Sequence, residues 1–328
     1  MYTHQDEREV EKICYEEEHV EKVLNLIRKN FDKYFKNFIE EEAGISISKK
    51  DAEKIGGNLG IRITQKDKLK DITKKFKTII KEAIEDFEKD REKYEDILNE
   101  EVLEEYEEDS STFKSIALKN ECPIIHSTYY NKAAKELDKY RYEFNISNSE
   151  DLLTVVTNLY YFAEDYKNEF YNANTYDEIN KYWDLEISDL DTDDYTVYGV
   201  IGGGIKSHML YKLYPGLFPN RSRDSIWSLW YLTEKDVIDC EKDSEFLMID
   251  INKYITQQNY FYPYELFIFY AHQIYQMLKK KAEELNVGFD DDYRYVYVDS
   301  FFKFIAKQHQ EEINTLKSQI KDGGHSYA

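Results

Sequence analysis

The chain is poor in the residues that build disulfide frameworks, sharp turns and membrane spans. It contains three cysteines, four prolines and twelve glycines among 328 residues. Cys14, Cys122 and Cys240 are odd in number and far apart, which excludes a disulfide framework or a cysteine-rich zinc module. No window approaches the roughly 20 apolar residues that a membrane helix needs, and the N-terminus lacks the pattern of a signal peptide. We therefore expect a cytoplasmic protein with no membrane segment.

Positive charge is also scarce. The chain has 44 Lys and Arg against 66 Asp and Glu, a formal net charge of −22. Such a field repels phosphate backbones, so direct binding to nucleic acid or to an anionic membrane is not expected. The basic run Lys66–Lys81 has no arginine and no stacking aromatic platform, and we interpret it as the solvated face of a helix. The acidity favours a protein partner with a basic surface, such as a nucleic-acid-handling enzyme.

Recognisable catalytic and metal-binding motifs are missing. The seven histidines show no HExxH or paired spacing, and no segment resembles a nucleophile elbow. Asp250 and Lys253 are three residues apart, so on a strand they would point to opposite faces, unlike the acid–lysine pair of metal-dependent nucleases. We expect no metal, no cofactor and no catalytic residue, an interpretation that favours a protein other than an enzyme.

The first 109 residues have the pattern of a helical arm. Apolar residues recur at three- and four-residue steps from about Asp6 to Glu42, and a second helical stripe starts near Thr64. Residues 45–63 read as a loop or small hairpin between the two helices. These stripes are too narrow to be stable alone, so the rest of the chain or a second copy must cover them. We therefore expect a homo-oligomer.

Residues 110–328 read as a second domain, because the acidic run Glu100–Asp109 and the following serines favour an exposed joint. Helices are expected at about Ser127–Tyr142, Ser149–Phe170, Tyr176–Trp183, Pro263–Leu285 and Asp299–Lys321. Alternating β-branched and aromatic residues predict short strands at Glu245–Ile251 and Tyr293–Val298. The expected fold is mainly α with a minor β component (α+β), a long-helix N-terminal arm packed on a C-terminal, mostly helical body with few short strands.

The segment Tyr195–Thr233 concentrates the conformationally special residues, with two of the four prolines and five of the twelve glycines. One interpretation makes Thr196–Ile201 a strand, Gly202–Gly204 a phosphate-cradling turn, and Ile205 the start of a helix whose amides hold an anion. The other makes the whole region one helix, capped by Asp193 or Asp194. Three successive glycines cost a helix interior about 1 kcal/mol each and favour the turn, whereas the unbroken apolar stripe favours the helix.

Two arginines, Arg221 and Arg223, stand at the start of the next helix, where the helix dipole disfavours cations. They need an internal acidic partner or a bound anion, and the sequence leaves both open. In the second case the basic residues converge on one phosphate or carboxylate with the glycine turn. The candidate anion-binding residues are Gly202, Gly203, Gly204, Lys206, His208, Arg221 and Arg223.

The run Asn259–Tyr270 places aromatic residues on nearly every face of a helix start. A helix that is apolar all round is buried, either in the core or at a subunit contact. The core is the simpler interpretation, and the candidate interface residues are Tyr260, Tyr262, Tyr264 and Phe267.

Two function classes follow. The first is a non-catalytic protein-interaction protein, such as a regulator or inhibitor of a nucleic-acid-handling enzyme of the phage counter-defence type. Its Lys, Glu, Asn, Tyr and Ile bias is typical of a bacterial or phage genome of low GC content. The alternative is an enzyme or ligand-binding protein that acts on a phosphate-bearing molecule at the glycine and arginine site. A convergence of Lys206, His208, Arg221 and Arg223 on an open pocket would favour the second class.

Overall fold

The computed structural model describes residues 14–42, 65–235 and 263–321, and its regular structure there is almost entirely helical. β pairing within these ranges is limited to an isolated antiparallel bridge between Val197 and Ile201. The expected α+β fold with few short strands is therefore wrong, and the fold is predominantly all-α. The predicted strand Glu245–Ile251 and the predicted loop at 45–63 lie outside the described residues.

The α-helices of these ranges are numbered here in chain order. The first seven are α1 (Glu17–Glu42), α2 (Gln65–Glu88), α3 (Arg91–Glu95), α4 (Glu100–Glu105), α5 (Ser110–Thr112), α6 (Pro123–Tyr130) and α7 (Asp138–Ile146). The next six are α8 (Ser149–Asp165), α9 (Gly203–Leu213), α10 (Arg223–Leu232), α11 (Tyr264–Glu284), α12 (Arg294–Gln308) and α13 (Gln310–Lys321). Two π-helical segments, Phe113–Glu121 and Tyr166–Phe170, continue α5 and α8.

Two long N-terminal helices are present as the periodicity predicts, and α1 ends at Glu42 as expected, but it begins at Glu17 because residues 14–16 form a turn and a bend. On α1, the ring of Phe35 meets the ring of Phe76 on α2 at 5.4 Å. The ring of Phe38 meets Phe301 on α12, also at 5.4 Å. The apolar stripes are therefore covered by one another and by C-terminal helices of the same chain. Because one cluster of buried residues includes both predicted domains, the division after residue 109 stays a prediction.

The predicted strand Tyr293–Val298 is a second error, because Arg294–Gln308 is the helix α12. Every residue from Arg294 to Asp299 is buried. A helix that is buried on all sides has no polar face and therefore no amphipathic period. Its run of aromatic and β-branched residues then looks like a strand to a pattern-based method.

Two other predicted helices are confirmed. Helix α11 begins at Tyr264, after Pro263, and ends at Glu284. The helix expected at Ser149–Phe170 is α8 with its π-helical continuation. Its N-cap is Asn148, whose side chain accepts a hydrogen bond from the backbone N–H of Glu150 at 2.9 Å. The helix therefore begins at Ser149, directly after this cap.

Between α8 and α9 the chain forms short 3₁₀-helices instead of the helix predicted at Tyr176–Trp183. They are Tyr176–Glu178, Tyr182–Leu185, Ser188–Asp191 and Asp193–Tyr195. Apolar side chains hold this stretch on the core, since Leu185, Ile187 and Leu190 are buried. Helix α11 fixes it from the other side, where Gln276 Nε2 donates to the carbonyl of Asp177 at 2.6 Å. The turns between these anchors are exposed.

No helix in the described ranges is both long enough and apolar enough to cross a membrane.

Candidate functional site

The glycine-rich segment combines parts of both interpretations of the sequence. Val197 and Ile201 form the isolated bridge, Gly202 is the N-cap, and α9 begins at Gly203. One continuous helix from Asp193 or Asp194 is therefore wrong. The glycines lie at the beginning of a helix, as in the phosphate-binding interpretation, although the preceding strand is reduced to one bridge.

Lys206 and Arg221 lie close together at this helix start. The Nζ atom of Lys206 donates to the carbonyl of Leu190. Burial lowers the pKa of Lys206 to about 8; Asp191 opposes this shift and Arg221 adds to it. Arg221 is buried beside Gly203, where a Cβ atom would stand 2.8 Å from Arg221 Nη1. The absence of a side chain at Gly203 thus makes room for the guanidinium group. Both cations are packed into the fold.

His208 and Arg223 face other surroundings. His208 Nδ1 lies 3.3 Å from Asn220 Oδ1, and its ring meets Tyr94 edge-on at 5.5 Å. Burial lowers the pKa of His208 to about 4, so the imidazole is neutral at pH 7. Arg223 is exposed in the first turn of α10. The four basic residues therefore do not converge on one open pocket.

The candidate interface residues divide between two parts of the chain. Tyr260 and Tyr262 lie outside the described residues. Tyr264 and Phe267 are fully buried within the chain, and the Tyr264 hydroxyl donates to the carbonyl of Pro219 at 2.7 Å. These two side chains contribute to the core around α11.

Residues 177–194, which we name the acidic segment, carry charge of mainly one sign beside a surface opening. Eight carboxylates stand here against Lys181 alone, and they are Asp177, Glu178, Asp184, Glu186, Asp189, Asp191, Asp193 and Asp194. Lys181 is itself paired with Glu17, with Nζ 2.7 Å from Oε1. The local 3₁₀-turns thus place eight negative groups on one stretch that contains a single lysine.

Three of these carboxylates have partners within the described part of the chain, and one of them is Asp193, which accepts a hydrogen bond from the exposed Tyr198 hydroxyl. Asp177 binds Lys279 at 2.6 Å and Arg294 at 3.3 Å. Asp191 Oδ1 accepts a hydrogen bond from the backbone N–H of Tyr264 at 2.9 Å, at the beginning of α11. The six carboxylates other than Asp177 and Asp191 are exposed and form no ion pair with any residue of the described ranges: Glu178, Asp184, Glu186, Asp189, Asp193 and Asp194.

A cleft of about 300 Å³ opens beside the acidic segment. Its wall includes the aromatic rings of Tyr166, Phe170 and Tyr176, and its carboxylates are Glu178, Asp184 and Glu186. Tyr176 is buried, and its hydroxyl lies 2.9 Å from the hydroxyl of Tyr295. This aromatic and acidic cleft, together with the acidic segment, is the candidate functional site.

The charges behind the cleft balance one another. Arg294 is 1% exposed and lies over the ring of Tyr176, with Cζ 4.5 Å from the centroid. Besides the Asp177 contacts described above, Lys279 Nζ lies 3.0 Å from Asp291 Oδ1. Two cations thus face two carboxylates, which leaves the charge of Glu178, Asp184 and Glu186 uncompensated at the opening.

Sequence reasoning did not identify this cleft. Tyr166 and Phe170 end one helical element, whereas Asp184 and Glu186 belong to turns that no periodic pattern predicts. The density of carboxylates from Asp177 to Asp194 was the available signal, but we interpreted acidity only for the whole chain and for the run Glu100–Asp109.

Comparison with known proteins gives no relative: no family model, no curated protein and no solved structure matches the chain.

Proposed function

We propose that the protein is a non-catalytic interaction protein that binds a partner through a basic surface of that partner. The observation that carries this proposal is the acidic segment, whose six exposed carboxylates form no ion pair with any described residue. Carboxylates that lack a cationic partner repel one another, and they contribute no ion pair to the stability of the fold. A basic partner would convert this repulsion into attraction.

The electrostatics support partner binding more than catalysis. A patch of one sign steers an oppositely charged partner and selects against wrong ones. The formal charge of −22 adds a long-range field of the same sign. Enzymes that handle nucleic acids present basic surfaces, so we extend the proposal to a cytoplasmic regulator or inhibitor of such an enzyme, of the phage counter-defence type.

The alternative function, action on a phosphate-bearing molecule at the glycine and arginine site, has less support. Lys206 donates to Leu190, and His208 faces Asn220. None of the four basic residues lines the cleft of about 300 Å³. One observation favours an anion at the start of α9: Arg221 and Lys206 lie close together there.

A homo-oligomer stays a prediction. The narrow apolar stripes of α1 and α2 suggested it, but the aromatic contacts of Phe35 and Phe38 cover these stripes within one chain. Light scattering decides between a mass near 39.4 kDa and a multiple of it.

The proposal is tested with an oligo-arginine peptide and two variants of equal net charge. One variant carries Asp189→Asn, Asp193→Asn and Asp194→Asn in the acidic segment. Its control carries Glu105→Gln, Glu107→Gln and Glu108→Gln, which are exposed and without ion pairs in the described ranges. In calorimetry at physiological salt, the first variant should bind the peptide about tenfold more weakly than the natural chain does. It loses three charge contacts, each worth about 0.2–1 kcal/mol. Equal weakening in both variants would reduce the effect to net charge and contradict the proposal.

A further inference from the structure

The cleft beside the acidic segment has a size that suits one side chain. Its volume of about 300 Å³ is at the lower limit of small-molecule pockets, which span about 300–1,000 Å³. Its wall is also preformed, because Tyr166, Tyr176 and Leu185 are buried in the fold. A preformed wall lowers the entropy lost on binding.

The aromatic part of the cleft offers a surface for a flat cation. Phe170 ends the π-helical segment and stays 55% exposed, although its ring stacks near Tyr166 at 6.2 Å. Aromatic faces attract ammonium and guanidinium groups, and guanidinium groups stack on them most often. An exposed phenylalanine is otherwise unfavourable in water, so a ligand that covers it is favoured by burial as well.

The charged part of the cleft selects the sign of the ligand. Glu178, Asp184 and Glu186 stand at the opening, while Arg294 and Lys279 behind the wall are balanced by Asp177 and Asp291. An anion would meet three carboxylates and no free cation among the lining residues. A cation would gain attraction from all three, and a guanidinium group can also bind a carboxylate through two parallel hydrogen bonds.

We propose that this cleft binds one arginine side chain of the basic partner, with the guanidinium group between Phe170 and the carboxylates of Glu178, Asp184 and Glu186. The inference rests on the proposed function and deepens it, because it assigns a defined anchor to an otherwise diffuse electrostatic contact. A buried arginine in a pocket is also a typical anchor of protein interfaces.

In the first experiment, the full-length chain is titrated with N-acetyl-arginine amide, and nuclear magnetic resonance monitors the binding. N-acetyl-citrulline amide is the matched probe, since it keeps the shape of arginine and lacks the charge. We expect the arginine probe to bind at least about tenfold more tightly than the citrulline probe. Equal binding of the two probes would overturn the inference, because the cleft would then select shape without charge.

The second experiment locates the binding. A variant with Glu178→Gln, Asp184→Asn and Glu186→Gln should bind the arginine probe at least about tenfold more weakly than the natural chain does. The triple variant at Asp189, Asp193 and Asp194 is the control and should change its affinity less than about twofold, since those residues do not line the cleft. The Phe170→Leu variant keeps an apolar side chain. It should bind the arginine probe about threefold more weakly and leave the affinity for the citrulline probe unchanged. Unchanged arginine binding in the cleft variant overturns the inference, and circular dichroism verifies that each variant is folded.

Two further probes define the occupant. N-acetyl-lysine amide binding more tightly than the arginine probe would overturn the choice of arginine. Spermidine represents a free polyamine, and cleft-dependent spermidine binding tighter than that of an oligo-arginine peptide would overturn the choice of a partner side chain.

The two proposals fail in different ways. If binding of the oligo-arginine peptide requires Asp189, Asp193 and Asp194 but not the cleft carboxylates, the arginine site in the cleft is refuted and the proposed function stands. If binding of the arginine probe requires the cleft carboxylates, but peptide binding is unchanged by the replacements at Asp189, Asp193 and Asp194, the proposed function is refuted.

Discussion

The guanidinium group of Arg294 lies over the ring of Tyr176, with Cζ 4.5 Å from the centroid. The same group contacts Asp177 at 3.3 Å and donates to the carbonyl of Gly216. One side chain of α12 therefore holds the wall of the cleft, the first residue of the acidic segment and the turn between α9 and α10. The geometry of the candidate site depends on this arginine.

Replacement of Arg294 by Met should lower the free energy of unfolding by about 2–4 kcal/mol, because it breaks a buried ion pair and leaves the Gly216 carbonyl without its donor. Asp177 keeps Lys279, which limits the loss. Urea unfolding measures the change, and Arg223→Met, at an exposed position, should stay within about 0.5 kcal/mol of the natural chain. Equal effects of the two replacements would contradict the structural role of Arg294.

A Gly216→Ala variant should be destabilised by about 1–3 kcal/mol through steric overlap. The added Cβ would stand 2.7 Å from the backbone oxygen of Asp291, and backbone cannot move aside as a flexible side chain can. Gly288→Ala is the control, since no atom lies within 4 Å of its Cβ position. Thermal unfolding should separate the two variants clearly, and a Gly216→Ala chain as stable as Gly288→Ala would refute the close approach.

Glu186 adopts a left-handed backbone conformation, with φ of 51° and ψ of 42°. This conformation costs a residue with a side chain about 1–2 kcal/mol, and glycine avoids most of that cost. Glu186→Gly should therefore be more stable than Glu186→Gln by up to about 1 kcal/mol, while both lose arginine binding equally. Differential scanning calorimetry together with the arginine titration checks both parts. Lower stability of the glycine variant would contradict the strain.

The contribution of Glu265 to stability should fall as pH rises towards neutrality. This residue is 7% exposed, and burial together with the nearby Asp191 raises its pKa to about 7 from 4.5. Between these two values the folded protein binds a proton that the unfolded chain releases, so each step up in pH favours unfolding. The loss is complete above pH 7 and amounts to at most about 3 kcal/mol.

Glu265→Gln provides the comparison for this pH dependence. The amide cannot ionise, so the stability of the variant relative to that of the natural chain should rise between pH 5 and about 8. Urea unfolding at several pH values measures the difference. Parallel pH profiles of the two chains would show that Glu265 has an ordinary pKa.

The fold was predictable where one helix face meets the core and the other meets water. The stripe with Phe35 and Phe38 on α1 has this property, and Pro263 marks the beginning of α11. Prediction failed for α12, because Arg294 to Asp299 are buried on all sides and leave no period to read. Helices that are distant in the sequence bury this segment, and the pattern of residues within the segment carries no information about them.

The candidate site was less accessible to sequence reasoning. The neighbourhood of Gly203, Lys206 and Arg221 was anticipated, since prolines and glycines constrain that stretch. The cleft was missed because Phe170 and Glu186 come together only through short 3₁₀-turns, whose positions follow from the anchoring of Leu185, Ile187 and Leu190. Local propensity is weak in such turns, and tertiary packing decides their path.

The central claim is that a basic partner binds at the acidic segment and the adjacent cleft. The most direct measurement is a nuclear magnetic resonance titration of the isotope-labelled full chain with an oligo-arginine peptide, which maps the perturbed backbone amides. The account predicts that the largest shifts cluster at residues 166–194, which include Phe170, Glu178, Asp184 and Glu186. Shifts spread evenly over the acidic surface, or centred on Glu105, Glu107 and Glu108, would contradict it.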